Sequence, residues 1–361
     1  MGLIHGGQLS TIAEQYNIPE QQWLDLSTGI APFSYPVCNI PQNICQDLPT
    51  IRPSLIKAAQ YYYQTEHCWP LAGSQQLIEK LPQLWLTKQQ NLSSHNIVAA
   101  QAAKKRVYLP QAGYKEHQHA WLKAGYQLHF YQQFLPTEIE KGAVVVVINP
   151  NNPRADTFSV EQLSVLQQAC KIKQALLVID EAFADIFPSG FSFVEKLDPL
   201  SFDLQTENVI ILRSIGKFFG LAGLRIGFVC TSKSWCEIIK NAIGPWSING
   251  VALYITEQAL QNIEWQKNQI RRLQRQSEKQ VVLLKRHLPS HKIVSNALFI
   301  TVFIENAAKV YQTLCEQSLY VRLTDENDAL RFGIADEGQL IKLQKILIQF
   351  ENIYININST K

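Results

Sequence analysis

Six short segments, at 106–109, 127–131, 143–148, 175–179, 209–212 and 226–230, are rich in Val, Ile, Leu and aromatic residues. Amphipathic helical patterns at 116–124, 160–172 and 235–242 are interleaved with them. The 143–148 segment is apolar at every position, from Ala143 through a run of valines to Ile148. A strand of that kind buries both faces, and parallel strands need a crossover between them, usually a helix. The alternation therefore predicts an α/β fold: a mostly parallel central sheet flanked by helices on both faces. Ligands of such sheets collect beyond the carboxyl ends of the strands. The residues just past each apolar run are the ones to read.

The densest of these follow the 209–212 run, from Ser214 through Gly216, Lys217, Gly220, Gly223 and Arg225 to Gly227. The glycines let the backbone turn tightly and let a ligand approach closely. A lysine held among small and apolar residues can lose pKa and form a Schiff base with an aldehyde. Ser214 and Arg225 offer a hydroxyl and a guanidinium fork to a phosphate. Pyridoxal 5′-phosphate needs both features. Spacing alone leaves open a surface lysine in a Gly-rich loop.

Other strand ends add candidates. Asp180 follows the 175–179 run, and a buried carboxylate there needs a partner. A protonated pyridine nitrogen would serve; a plain helix cap is the alternative. Asn149-Pro150-Asn151-Asn152-Pro153 follows the 143–148 run, and Tyr114, four residues past Pro110, could stack on a flat ring. Gly73-Ser74-Gln75 opens a helical pattern, a ready anion site or an ordinary cap. Ser27-Thr28-Gly29 offers hydroxyls and amides to an anion, or is a simple loop. Near the end, Arg322 and Arg331 flank a turn between short strand patterns; they could clamp anions or merely keep an edge soluble.

Composition narrows the class. A net charge of +3 without a long basic run gives nucleic acid no footprint. No apolar run approaches a membrane span, and the first residues lack the pattern of a secretory signal. Seven scattered cysteines without a C-x-x-C argue against a disulfide framework or a metal site. A cytoplasmic protein is expected. The chain divides into an arm (1–35), a large domain (36–245), and a linking helix with a small α+β domain (246–361). The linker is expected as one long amphipathic helix over 251–287.

In their joint order these motifs resemble the aspartate-aminotransferase-like, fold type I superfamily of pyridoxal-phosphate enzymes. H-G-G-x-L near the start, W-L-D-L-S-T-G-I-x-P, P-L-A-G-S-Q, G-Y-x-E-H, D-E-A-F and G-K-F-F-G-L-A-G-L-R-x-G-F closely resemble its L-threonine-O-3-phosphate decarboxylase family. The resemblance covers nearly the whole chain. It implies pyridoxal 5′-phosphate as cofactor, a small phosphorylated amino acid as substrate, and a homodimer. Lys217 would be the Schiff-base lysine and later a proton donor, Asp180 the partner of the pyridine nitrogen, and Tyr114 the stacking ring. Asn152 would bond the ring hydroxyl and also line the substrate site. Gly73, Ser74, Gln75, Ser214 and Arg225 would hold the cofactor phosphate. Arg331 would take a substrate anion, with Arg322, His5, Ser27, Thr28 and Gly29 as further substrate contacts. Phe183 replaces a tyrosine that many aminotransferases of this superfamily have, and Arg154-Ala155 replaces a Thr-Gly. Leu48-Pro49 stands where histidinol-phosphate aminotransferases have Tyr-Pro. A histidinol-phosphate-type or other aminotransferase is the alternative activity, and a non-catalytic scaffold the alternative class.

Overall fold

The computed structural model describes residues 6–37, 39–92, 105–197, 208–288 and 292–359. After a two-residue strand, β1 (Leu24–Asp25), seven strands form one sheet. They are β2 (Cys68–Leu71), β3 (Arg106–Pro110), β4 (Gln127–Tyr131), β5 (Val144–Ile148), β6 (Leu176–Asp180), β7 (Val209–Ser214) and β8 (Gly227–Thr231). Their order is β2-β8-β7-β6-β5-β3-β4, and only β8 runs against the other six. The expected mostly parallel sheet is present. β5 and β6 are buried at every residue, as unbroken apolar runs require.

Alternate residues serve opposite faces. Val145, Val147, Leu177, Ile179 and Ile211 join one core with Leu55, Leu163 and Ala252 from flanking helices. Val144, Val146, Leu176, Val178, Ile210 and Leu212 join the other, with Trp85, Trp121 and Trp235. Sequence reading missed β2 because Pro70 lies inside it. As the outermost strand it tolerates a residue with no N–H to donate.

A second sheet contains β9 (Lys292–Ser295), β10 (Phe299–Phe303), β12 (Arg322–Leu323) and β13 (Ala329–Gly333), all antiparallel, in the order β12-β13-β10-β9. Between them in the chain, β11 (Leu319–Tyr320) pairs in parallel with β1, so Leu24 and Leu26 share a core with Leu330, Phe332 and Phe350. The linker departs from expectation. It is two helices, Gly250–Gln261 and Ile263–His287, parted at Asn262, whose carboxamide accepts from the Trp265 amide at 3.1 Å and caps the second helix. Among the described residues no helix is long and apolar enough to cross a membrane.

Candidate active site

Six strands point their carboxyl ends at one sheet edge, and antiparallel β8 begins there. Ser74 opens the helix after β2, Tyr114 follows β3, Asn152 follows β5, Asp180 ends β6, Ser214 ends β7, and Arg225 precedes β8. Together with Gly73, Gln75, Phe183 and Lys217 they line one cavity.

Lys217 sits in the single helical turn Ile215–Phe218, capped by the Ser214 hydroxyl, which accepts from the Gly216 amide at 3.3 Å. Burial pushes the amine down from 10.5 to about 8; the Arg331 and Arg225 charges push the same way and Asp180 opposes them. The ammonium lies 5.5 Å from the centre of the Phe183 ring. At neutral pH a usable fraction of this lysine is a free amine.

Asp180 is 4% exposed. One carboxylate oxygen accepts from the Ala182 amide at 3.0 Å and the other lies 2.9 Å from His117 Nε2. The contact suits the imidazole tautomer that has its N–H on Nε2, aimed at a carboxylate oxygen. His117 stands inside the G-Y-x-E-H motif, yet no role was read for it. Its spacing of three from Tyr114 at a helix start was the available signal, since such pairs are neighbours in space. Burial pushes the Tyr114 phenol up to about 12, keeping it neutral.

Two glycines are required by close approach. A Cβ at Gly73 (φ +72°) would stand 3.0 Å from the Arg225 guanidinium. One at Gly227 would stand 2.5 Å from the Arg213 carbonyl oxygen and 3.2 Å from the Ser74 amide nitrogen. Gly227 thus lets the start of the 74–92 helix rest on β7 and β8.

Arg331 is 4% exposed. It donates to the Asn152 carboxamide oxygen and to the Ser27 carbonyl, each at 2.5 Å, while its buried Nε has no partner among the described residues. Burial and then Arg322 push it down to about 9, which still leaves a cation at neutral pH. Arg322 stands directly opposite Arg331 in the β12–β13 register. Like charges so placed repel, and Asp325, 3.7 Å from the Arg322 guanidinium, offsets part of that repulsion. The edge-solubiliser reading does not hold for Arg331. The Ser27 hydroxyl is turned toward the arm, accepting from the Gly7 amide at 2.8 Å, and Gly29 packs against the Phe183 ring. Thr28 is half-buried beside them, with its Cγ2 about 3.3 Å from where a Cβ on Gly7 would stand. His5 lies outside the described residues.

Beneath the cavity, Arg213 donates to Glu181 at 2.7 Å and Asp185 at 2.6 Å, all three buried. Sequence reading passed over this triad because Arg213 sits within an otherwise apolar strand.

The model of the aminotransferase class I and II family matches residues 48–336. The chain belongs to that family. Two curated relatives are threonine-phosphate decarboxylases. The one from Pseudomonas aeruginosa is 32% identical, covering 97% of this chain and 98% of its own. The one from a Sinorhizobium species is 30% identical, covering 93% and 94%. Among solved class I and II folds, the histidinol-phosphate aminotransferase of Sinorhizobium meliloti in complex with pyridoxal-5′-phosphate superposes with a TM-score of 0.74 at 16% identity, covering 98% of this chain and 96% of that one. The fold of this aminotransferase-family chain is thereby shown.

Proposed function

We propose that this chain is a pyridoxal-phosphate enzyme that decarboxylates O-phospho-L-threonine to (R)-1-aminopropan-2-yl phosphate, a precursor of the cobalamin nucleotide loop. The end-to-end likeness to threonine-phosphate decarboxylases carries the proposal. The donor set fits the cofactor: a lysine of lowered pKa, a carboxylate braced by His117, and a cup of Ser74, Ser214 and Arg225 in which Gly73 leaves room for the guanidinium. When bound, pyridoxal phosphate supplies an aldehyde for the lysine and a ring that takes up the electron pair left by a broken Cα bond.

The chain's own residues do the rest. Asp180 would hold positive charge at the ring nitrogen, Asn152 would hold the ring hydroxyl, and Tyr114 would cover one face. Arg331 and Arg322 would bind the carboxylate and phosphate of the substrate, and so choose which Cα bond stands perpendicular to the ring. Lys217 Nζ, near Phe183 at the cavity floor, would return a proton to Cα after CO2 departs. Phe183 offers no hydroxyl, which leaves the ring hydroxyl to Asn152. On this reading 36–245 holds the cofactor, 246–361 supplies the substrate arginines, and the arm reaches them through Ser27. A cytoplasmic location belongs to the same proposal, and so does a homodimer, which exposed Leu48 and Trp246, 66% and 62% accessible beside grooves at the 250–261 helix, support.

The test is incubation of cofactor-loaded protein with O-phospho-L-threonine, reading CO2 and aminopropanol phosphate by mass spectrometry. A parallel reaction with histidinol phosphate and 2-oxoglutarate is read for glutamate. CO2 without glutamate is expected; glutamate without CO2 overturns the decarboxylase in favour of an aminotransferase.

A further inference from the structure

The two arginines that face the substrate in the proposed reaction sit at the base of one hairpin. β12 carries Arg322, β13 carries Arg331, and the 324–328 turn joins them. The turn is braced from inside: the Thr324 hydroxyl accepts from the Asp328 and Ala329 amides at 3.2 and 3.0 Å. Its tip is gripped from outside. Asp328 pairs with Arg154 at 2.8 Å, and Glu326 pairs with Lys115 at 3.1 Å.

Both cations come from the seven-stranded part of the molecule, and from informative places. Lys115 directly follows Tyr114, and Arg154 stands two residues past Asn152. Lys115 is fixed in turn by the Gln111 carbonyl at 2.9 Å, and the Arg154 guanidinium lies 4.7 Å over the Phe303 ring of β10. Each pair thus ties the hairpin to a loop that also carries a cavity residue. We propose that Arg154 and Lys115 are positioning residues, which hold the tip of the β12–β13 hairpin and so set where Arg322 and Arg331 present their charges. Neither lines the cavity of Lys217; Arg322 and Arg331 do not line it either, but Arg331 bonds Asn152, which does. The inference rests on the assignment of Arg322 and Arg331 to the substrate. It also gives Arg154, which departs from the Thr of the resembling family, a task of its own.

The holoenzyme variants Arg154→Ala, Asp328→Ala and the charge swap Arg154→Asp with Asp328→Arg test it. A half-exposed ion pair is worth at most a factor of about five. Each single variant should raise KM for O-phospho-L-threonine about three- to fivefold and leave kcat within about twofold. The difference should shrink in about 0.5 M salt, where surface charges are screened. The swap should bring KM back to within about twofold of the wild type. An unchanged KM in the single variants, or a swap no better than either single, overturns the positioning role. Amide hydrogen exchange of 322–331 is read alongside, and the single variants should exchange faster there. Wild-type protein inert toward O-phospho-L-threonine would sink the substrate reading instead; the exchange data then judge the hairpin grip, and unchanged exchange would refute it.

Discussion

The His117 Nε2 and the Asp180 carboxylate oxygen lie 2.9 Å apart, with only 2% and 5% of their side chains exposed. Water cannot readily stand in for either partner. His117→Ala should leave the carboxylate with the Ala182 amide alone, a loss of about 1–3 kcal/mol in holding it in place. Cofactor affinity, followed by titrating the absorbance of bound pyridoxal phosphate, should fall about tenfold or more. His117→Gln, which keeps a donor, should recover much of it; equal affinity in wild type and His117→Ala would refute the bracing role.

Lys217 carries a penalty that should be visible in the cofactor-free protein. Its folded pKa of about 8 is below the ordinary 10.5, so between those values the unfolded chain binds more protons than the folded one. Stability contributed here therefore rises with pH through that window; below about 8 the penalty is fully present, and above about 10.5 it is gone. Lys217→Met should stabilise the apoprotein by up to about 3 kcal/mol at pH 7, with the difference closing as pH rises toward 10.5. The same variant should lose turnover and the borohydride-fixable absorption band. A midpoint difference that does not change with pH would count against the buried-amine account.

Ala155 occupies a left-handed conformation, φ +62°, with its amide donating to the Asn151 carbonyl at 2.8 Å. Glycine adopts this conformation without the Cβ penalty of roughly 1–2 kcal/mol, less its own entropy cost on folding. Ala155→Gly should raise stability by about 0.5–1 kcal/mol in chemical unfolding. A destabilised variant would show that packing of the Ala155 methyl outweighs its backbone strain.

Arg213 holds two buried carboxylates. Arg213→Met should cost about 3–5 kcal/mol, because Glu181 and Asp185 are left without a counter-charge. Glu181 is already raised by burial, with Arg213 opposing. The deficit should shrink as pH falls through the carboxylate range, since protonation removes the bare charges. Adding Glu181→Gln and Asp185→Asn should restore much of the loss. A deficit that persists unchanged at acidic pH would point to packing against Tyr63, which lies 4.9 Å from the guanidinium, instead of charge.

The parts of the site that were readable from sequence are those that strand direction determines. Once β5, β6 and β7 are parallel, Asn152, Asp180 and Lys217 must converge at one edge, because each stands just past or at the end of an apolar run. The contacts that were not readable cross between elements whose relative placement no local pattern encodes. Arg213 looks like an interruption of an apolar strand until Glu181 and Asp185 are folded against it. Ser27 looks like a hydroxyl donor for an anion; in the fold its carbonyl meets Arg331 and its hydroxyl meets the Gly7 amide. The break at Asn262 was hidden because the hydrophobic pattern continues across it, and only the side-chain cap marks a new helix.

The parallel pairing of β1 with β11 joins residues almost the whole length of the chain apart. During synthesis Leu24 and Leu26 emerge well before β11 and the core residues Leu330, Phe332 and Phe350 that receive them. The parallel sheet can assemble while this segment still lacks a partner, so a segment made early docks late. Arg331 reaches the Ser27 carbonyl only after that event. The wait for β11 thus places the contact between Arg331 and Ser27 late in assembly, after the strands that carry Asp180 and precede Lys217 have been made.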